Sequence, residues 1–169
     1  MSFGMHEGLV IADSGPLIAL AGIECLHILP RLYLQVVVPN AVIDEIMAGA
    51  HLPAGHDVFE EAPWLERLEA PTPETTLSIV LGRGEAEAIA LASQHPESLL
   101  LLDDRQARRA ASALGIRATG SAGVLVRAKT EGLVEAVRPL LLSVRQNGYY
   151  LSVRVIERAC QMAGEIEPL

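Results

Sequence analysis

The chain has 169 residues, 50% of them hydrophobic, which suits one globular domain with a sizeable core and excludes a disordered chain. Only two Phe, three Tyr and one Trp are present, which argues against nucleic-acid-binding folds that stack several bases on aromatic side chains. The formal net charge of −8 argues against binding of nucleic acid by overall attraction, so any such binding requires a local basic patch.

The amino terminus, the apolar runs and the cysteines bear on location. The first eight residues, MSFGMHEG, lack the basic and apolar regions of a signal peptide, and we expect a disordered leader before a single domain over residues 9–169. Every apolar run is interrupted before the roughly 18–20 residues that a membrane helix requires. Cys25 and Cys160 fit no metal or redox spacing, so we expect two buried free thiols. These features predict a cytoplasmic protein that spans no membrane.

Two strand–helix pairs are predicted in the first 49 residues. The run LVIA (9–12) predicts a buried strand that ends at Asp13, and the following SGP predicts a helix because proline suits a first helical turn. The run LQVVVP (34–39) is rich in β-branched residues and predicts a second buried strand. The next helix is expected to begin at an Asn40 N-cap and to end at Gly49.

The rest of the chain is irregular at first and then strongly patterned. Residues 50–83 carry several Pro and Gly, with one candidate edge strand in WLERLEA. The patterned elements are a buried helix from Gly84, a strand at 98–102, a helix from Arg105 to Gly115, a strand at 116–119, and helices at roughly 121–131, 134–146 and 152–163. Short apolar strands alternating with helices predict an α/β fold whose parallel sheet is covered on both faces.

Acidic residues fall beyond the carboxyl ends of the predicted strands, where parallel sheets gather functional side chains. Asp13 ends the first strand, and Asp103 and Asp104 end the third. Two helices carry further acids near their beginnings, namely Asp44, Glu45, Glu85 and Glu87. Carboxylates brought together repel one another, and a divalent cation such as Mg²⁺ or Mn²⁺ relieves that repulsion. The set predicts a metal site that activates water and binds a phosphoryl oxygen.

Most of these acids also have a structural interpretation. Asp104 suits the N-cap of the following helix, and Glu85 suits a helix N-terminus. Glu85 and Glu87 point roughly 200° apart at 3.6 residues per turn, so at most one of them faces a cleft. Asp44 and Glu45 flank the apolar stripe of their helix about equally, so geometry does not choose between them.

The order of the segments resembles the PIN-domain family of metal-dependent nucleases, which includes VapC-like toxins. The matching segments are VIADSGPLIAL, VVVPNAVIDEI, GRGEAEAIALA and LLLLDDRQARRAASALGIRATGSAGVLVRAK, and the ending NGYYLSVRVIERACQMAGE resembles one bacterial and archaeal branch. The resemblance implies a three-layer α/β/α fold with a short central parallel sheet of four to five strands. It also implies a Mg²⁺- or Mn²⁺-dependent endoribonuclease that hydrolyses RNA with a metal-activated water, as the toxin of a toxin–antitoxin pair.

The resemblance assigns roles to individual residues. Asp13, Glu45 and Glu85 match the family's first three acids, which leaves Glu87 as the outward partner on its helix. The fourth acid falls in DDR, where the family pattern favours Asp104 and Asp103 is nearly as good. The implied catalytic set is therefore Asp13, Glu45, Glu85, Asp103 and Asp104, and the implied metal ligands are Asp13, Glu85, Asp103 and Asp104. Ser14 and Ser121 stand as supporting hydroxyls beside the acids.

Arginine side chains provide a candidate basic surface in this acidic chain. Arg105, Arg108 and Arg109 lie on one helix, off its apolar stripe and within reach of a substrate backbone. With Arg117 and Arg127 they suit either a local basic rim for RNA or an ordinary solvated face, with the solvated face favoured. The five histidines fit no metal spacing and receive no catalytic role.

Protein partners are expected as well: the resemblance implies a small antitoxin, and family members often form homodimers. One apolar stripe near the carboxyl terminus suits either a dimer interface or the core, with the core favoured; it consists of Val153, Ile156, Ala159, Cys160 and Ala163.

Two other functions stay open. A PIN-like module that binds nucleic acid or a protein partner, with little or no cleavage, would keep the same acids. A different metal-dependent phosphohydrolase is the other alternative, but a phosphoaspartyl enzyme would carry Asp-x-Asp after the first strand, where this chain has Asp13, Ser14 and Gly15. The Gly-rich turn of a nucleotide-binding domain and a P-loop are also missing from the sequence.

Overall fold

A computed structural model describes residues 6–49 and 57–166. The strands in those ranges are β1 (His6–Ala12), β2 (Tyr33–Val38), β3 (Glu66–Arg67), β4 (Leu99–Leu101) and β5 (Arg117–Thr119). The helices are α1 (Ser14–Gly22), α2 (Leu29–Leu32), α3 (Asn40–Met47), α4 (Val58–Glu61), α5 (Thr75–Val80), α6 (Arg83–Gln94), α7 (Arg105–Ala113), α8 (Ser121–Thr130), α9 (Arg138–Gln146) and α10 (Val153–Met162). A 3₁₀ turn (Leu26–Ile28) precedes α2.

The strands form one parallel five-stranded sheet in the order β3-β2-β1-β4-β5. Because every pair is parallel, all the carboxyl ends reach the same edge of the sheet. At this edge the backbone N–H of Asp13 donates to the carbonyl of Leu101 at 3.0 Å, and that of Leu102 donates to the carbonyl of Thr119 at 2.9 Å. The segments that follow β1, β4 and β5 therefore begin side by side.

Helices cover both faces of the sheet, and two apolar clusters fill the space between the layers. On one face, Val10 and Ala12 of β1 pack in a cluster with residues of α1, α3, α8, α9 and α10. On the other, Ile11 packs in a cluster with residues of α6 and α7. The alternation of Val10, Ile11 and Ala12 follows the period of two in a strand, and all three are fully buried. The predicted three-layer α/β/α fold with a parallel sheet is confirmed.

Most predicted elements are observed within a residue or two of their expected ends. Gly49 and Gly115 have φ of 67° and 72°, the left-handed conformation that glycine adopts readily after a helix. The edge strand expected in WLERLEA is β3, at one end of the sheet. Within the carboxyl-terminal stripe, Ile156, Ala159 and Cys160 are buried, as core use requires, whereas Val153 is exposed.

Three expectations about elements need correction. β1 begins at His6, which pairs with Tyr33 in β2, so residues 6–8 are not a disordered leader. Asn40 is the first residue of α3 and Pro39 is the N-cap, because α3 is capped by a carboxylate from another helix. The segment expected to be irregular contains α4 and α5; α5 has no buried residue and therefore shows no apolar periodicity.

Some expectations fall outside the described residues: those on residues 1–5, on 50–56 with His51 and His56, and on 167–169. Both cysteines are buried and neither is in a disulfide, as predicted.

None of the helices in the described ranges is by itself long and apolar enough to cross a membrane. Ser14–Gly22 and Leu26–Leu32 together reach that length and apolar composition, but the chain bends by 116° between them.

Candidate active site at the carboxyl edge of the sheet

Asp13 is a buried carboxylate at the end of the central strand. It follows β1, caps the start of α1 in an extended conformation, and exposes only 5% of its surface. Its Oδ1 is buried and has no hydrogen-bond partner among the described residues. Burial, followed by the charges of Glu45 and Glu85, raises the pKa of Asp13 to about 7. Such an acid is costly to ionise, and a nearby cation would relieve the cost.

Glu45 is held at this edge by two helices. Its Oε2 accepts a hydrogen bond from the hydroxyl of Ser14 at 2.8 Å, and its Oε1 accepts one from the backbone N–H of Gly84 at 3.0 Å. Gly84 is required for this approach, because a Cβ there would stand 2.6–2.8 Å from the Glu45 carboxylate. Asp44, by contrast, is exposed and pairs with Arg83 at 3.5 Å. The structure thus places Glu45, and not Asp44, beside Asp13.

Glu85 lies at the start of α6 and faces the same cluster. Its Oε2 accepts a hydrogen bond from the backbone N–H of Gly82 at 3.0 Å, which closes the first turn of the helix. Burial raises the pKa of Glu85 and the hydrogen bond from Gly82 lowers it, while the charges of Asp104 and Glu45 raise it further. Glu85 therefore both caps α6 and lies in the acidic cluster.

Glu87 points away from the cluster but not into solvent. Its Oε2 accepts a hydrogen bond from the backbone N–H of Ala41 at 2.9 Å, and its Oε1 lies 3.3 Å from Nε of Arg83. The outward position expected for Glu87 is therefore wrong: its side chain is 15% exposed and caps α3. Since Glu45 of α3 accepts from the N-terminus of α6 in turn, each helix caps the other.

Asp103 and Asp104 follow β4 and lie at the same edge in different environments. Asp103 is half-buried, and its two carboxylate oxygens accept from the backbone N–H of Ser121 at 2.7 Å and from the hydroxyl of Tyr149 at 2.6 Å. Asp104 is exposed and caps α7 by accepting from the backbone N–H of Ala107 at 2.8 Å. Asp104 raises the pKa of Glu85, so it stands close enough to act on the cluster.

Tyr149 is a member of this cluster that the sequence patterns did not identify. Burial and then the charge of Asp103 raise the pKa of Tyr149 well above its usual range. A Cβ on Gly15 would stand 2.7 Å from the Tyr149 hydroxyl, so the tyrosine also closes over the start of α1. The available signal was NGYY, a turn that opens the carboxyl-terminal segment resembling one branch of the family.

The predicted supporting hydroxyls both lie at the site. Ser14 orients Glu45, as described above. Ser121 is fully buried, and its backbone N–H donates to Asp103. The Ser121 hydroxyl has no partner among the residues that the structure describes, which leaves a second unsatisfied polar atom beside the acids.

The predicted arginine rim divides between the two ends of the sheet. Arg105, Arg108 and Arg109 are exposed on α7, which begins at the acidic edge, and the guanidinium of Arg108 lies near Gly120. Arg117 opens β5 and donates to the carbonyl of Glu97 at 2.7 Å, at the opposite end of the strands. Arg127 lies 5.1 Å from the ring centre of Tyr33, which opens β2. The prediction that Arg117 and Arg127 belong to the rim is therefore wrong.

The donor set fits a hard divalent cation. In the described ranges, no group of three or more His, Cys, Asp or Glu side chains forms a ligand cage that could hold a metal ion. Mg²⁺ commonly binds through only one or two carboxylates and keeps several waters, so a cage is not required. The buried, unpartnered Oδ1 of Asp13 beside Glu45 and Glu85 is the kind of oxygen that such an ion would satisfy.

Comparison with known proteins agrees with the fold. A family model described as a PIN domain matches residues 9–165. No curated protein matches the chain. PIN domains are generally nucleases and typically use divalent metals, which is consistent with a carboxylate cluster at this edge. The match begins within β1 and extends beyond the end of α10, and the chain belongs to the PIN-domain family.

Proposed function

We propose that the chain is a Mg²⁺- or Mn²⁺-dependent endoribonuclease that hydrolyses RNA phosphodiester bonds at the acidic edge of its sheet. The observation that carries the proposal is Asp13: a buried carboxylate with an unpartnered oxygen and a raised pKa, beside Glu45 and Glu85. A purely structural acid would have its oxygens hydrogen-bonded, as those of Glu165 are.

The ion would be held by Asp13, Glu85 and Asp104, with Asp103 as the alternative or additional ligand. When bound, the ion would lower the pKa of a water ligand and place positive charge beside a phosphoryl oxygen. Glu45 fixes the position of Ser14 and of the first turn of α6 through its two hydrogen bonds. Tyr149 and the backbone of Ser121 hold the carboxylate of Asp103 in place.

The substrate backbone would be contacted by the basic side chains of α7. Arg105, Arg108 and Arg109 are exposed on the helix that starts at Asp104, so they lie next to the cluster. Their local positive charge offsets the net charge of −8 where the RNA approaches.

The proposal includes a cytoplasmic toxin controlled by a small antitoxin, and a homodimer. The cytoplasm suits two buried cysteines that form no disulfide, because thiols stay reduced there. Exposed apolar side chains on α10, such as Val153 at 54% and Met162 at 66%, provide a surface of the kind that protein partners cover.

The test is cleavage of a mixed RNA pool in Mn²⁺, with and without chelator, by the wild type and by Asp13→Asn. Glu97→Gln is the matched control, because Glu97 is 96% exposed and precedes β4, away from the acidic edge. We expect metal-dependent cleavage by the wild type and by Glu97→Gln, and none by Asp13→Asn. Identical cleavage by all three would contradict the catalytic role of Asp13, and RNA binding without cleavage would favour the binding-module alternative.

A further inference from the structure

Next to the acidic cluster, a groove of about 460 Å³ runs between α1 and the loop that joins α9 to α10. Its α1 side is formed mainly by small residues, including Gly15, Ala19 and Gly22, and its loop side by Asn147 to Tyr150. Two of its lining residues belong to the cluster itself. Ser14 donates to Glu45, and the hydroxyl of Tyr149 donates to Asp103. The groove is therefore continuous with the candidate active site.

The loop side of the groove is held in place at several points. The side-chain amide of Asn147 donates to the carbonyl of Gly22 at 2.6 Å, which ties the loop to the end of α1. Gly148 turns the chain with φ of 87°, and Tyr149 is fixed by Asp103. Leu151 is buried in the core. Between these anchors, Tyr150 lines the groove and is 86% exposed, so its aromatic ring is accessible to a ligand.

The chemistry of the groove suits a neutral, flat ligand. None of its ten lining residues carries a charge, so a phosphate group would find no cationic partner there. A nucleobase meets these conditions, since its faces stack on aromatic rings whatever its sequence identity. We propose that this groove binds one unpaired base of the strand whose phosphodiester lies at the acidic cluster, with the ring of Tyr150 as the stacking platform. This inference rests on the proposed function.

The closing experiment measures binding, so that it does not depend on cleavage. Fluorescence anisotropy follows a short 5′-labelled single-stranded RNA in Mg²⁺, with every protein carrying Asp13→Asn. We expect Tyr150→Ala to weaken binding roughly 5- to 150-fold, the range that loss of one base–aromatic stack gives. Tyr150→Phe keeps the ring and is expected to bind within about twofold of its parent. Leu34→Ala is the matched control, because Leu34 is 69% exposed near the start of β2, at the opposite end of the sheet.

A second readout locates the base. RNA with 5-iodouridine at successive positions is irradiated with each protein, and we expect a cross-link to Tyr150 from one position. An abasic site at that position should weaken binding to the parent, and it should remove most of the effect of Tyr150→Ala, because both changes delete the same stack.

The outcomes separate this inference from the proposed function. Three outcomes would overturn the proposed base-binding role of the groove. They are equal RNA affinity of the parent and Tyr150→Ala, additive effects of the abasic site and Tyr150→Ala, and no RNA binding by any variant. If RNA binding depends on Tyr150 but the wild type does not cut RNA, the base-binding role of the groove is supported and the proposed nuclease activity is overturned.

Discussion

Replacing Asp13 by Asn should stabilise the metal-free protein at alkaline pH. The substitution keeps the size of the side chain and removes its charge. Because burial and the charges of Glu45 and Glu85 raise the pKa of Asp13 to about 7 in the folded state, folding disfavours the ionised form. Relative to an unfolded pKa of about 3.9, the shift corresponds to an upper limit of about 4 kcal/mol. We expect Asp13→Asn to raise the free energy of unfolding by roughly 2–4 kcal/mol at pH 8.

The pH dependence has a definite sign. For a carboxyl with a raised pKa, stability is highest below pH about 4, falls between pH 4 and 7, and levels off above pH 7. The difference between Asp13→Asn and the wild type should therefore be largest at pH 8 and vanish near pH 4. Urea unfolding in chelator at pH 4 to 8 measures it, with Asp44→Asn as the control, since Asp44 is an exposed acid of the neighbouring helix.

Metal should offset most of this difference in stability. At pH 8, Mn²⁺ at about 100 times its dissociation constant should stabilise the wild type by roughly 2.7 kcal/mol and leave Asp13→Asn nearly unchanged. A difference between the two proteins that does not vary with pH in chelator would refute the electrostatic reasoning. Equal stabilisation of both proteins by Mn²⁺ would refute the role of Asp13 in holding the ion.

Two further predictions concern the contacts around the site, and a third concerns Glu165, near the carboxyl terminus. Gly84→Ala should lower the free energy of unfolding by roughly 1–3 kcal/mol, because the added Cβ would stand 2.6–2.8 Å from the Glu45 carboxylate. In a Glu45→Ala background the same change should be neutral or stabilising, since the clash is gone and alanine favours a helix. A loss of stability that persists in that background would contradict this cause. Glu87→Gln should cost roughly 1 kcal/mol in thermal unfolding through the weakened cap on α3, whereas Asp44→Asn should stay within about 0.5 kcal/mol; equal effects would show that the cap is unimportant. Burial alone would raise the pKa of Glu165, but hydrogen bonds from Val137, Lys129 and Arg138 outweigh it and lower the pKa. This acid therefore stabilises the fold above its unfolded pKa of about 4.3, and the stabilisation is lost as the pH falls. Glu165→Gln should reduce the loss of stability in acid, and a pH profile of unfolding equal to that of the wild type would contradict this role.

The sheet and the acidic edge were predictable because both follow from local patterns. Buried parallel strands are short apolar runs, and the topology of a parallel sheet then places the residues that follow them at one edge. Asp13 and Asp103 could be brought together by this reasoning without any knowledge of side-chain contacts. The choice between Asp44 and Glu45 could not, because both flank the same apolar stripe, and it depends on the contact between α3 and α6.

The features that the sequence patterns did not reveal depend on tertiary contacts between distant segments. Tyr149 reaches Asp103 from 46 positions further along the chain, and Glu87 caps α3 from a different helix. The prediction for Arg117 and Arg127 was wrong for a related reason. A charge pattern shows that a side chain leaves the apolar stripe, but it does not show which end of the sheet that side chain reaches. Arg108 and Arg127 are alike in the sequence pattern and lie at opposite ends of the fold.

The central claim is that an ion held at Asp13 enables this cluster to hydrolyse RNA. The most direct test is the single-turnover rate of cleavage of one defined single-stranded RNA, measured against Mn²⁺ concentration for the wild type, Asp13→Asn and Glu97→Gln. The account predicts saturable Mn²⁺ dependence for the wild type and Glu97→Gln, and a rate lower by roughly 10²-fold or more for Asp13→Asn. A rate for Asp13→Asn equal to that of the wild type at every Mn²⁺ concentration would contradict it.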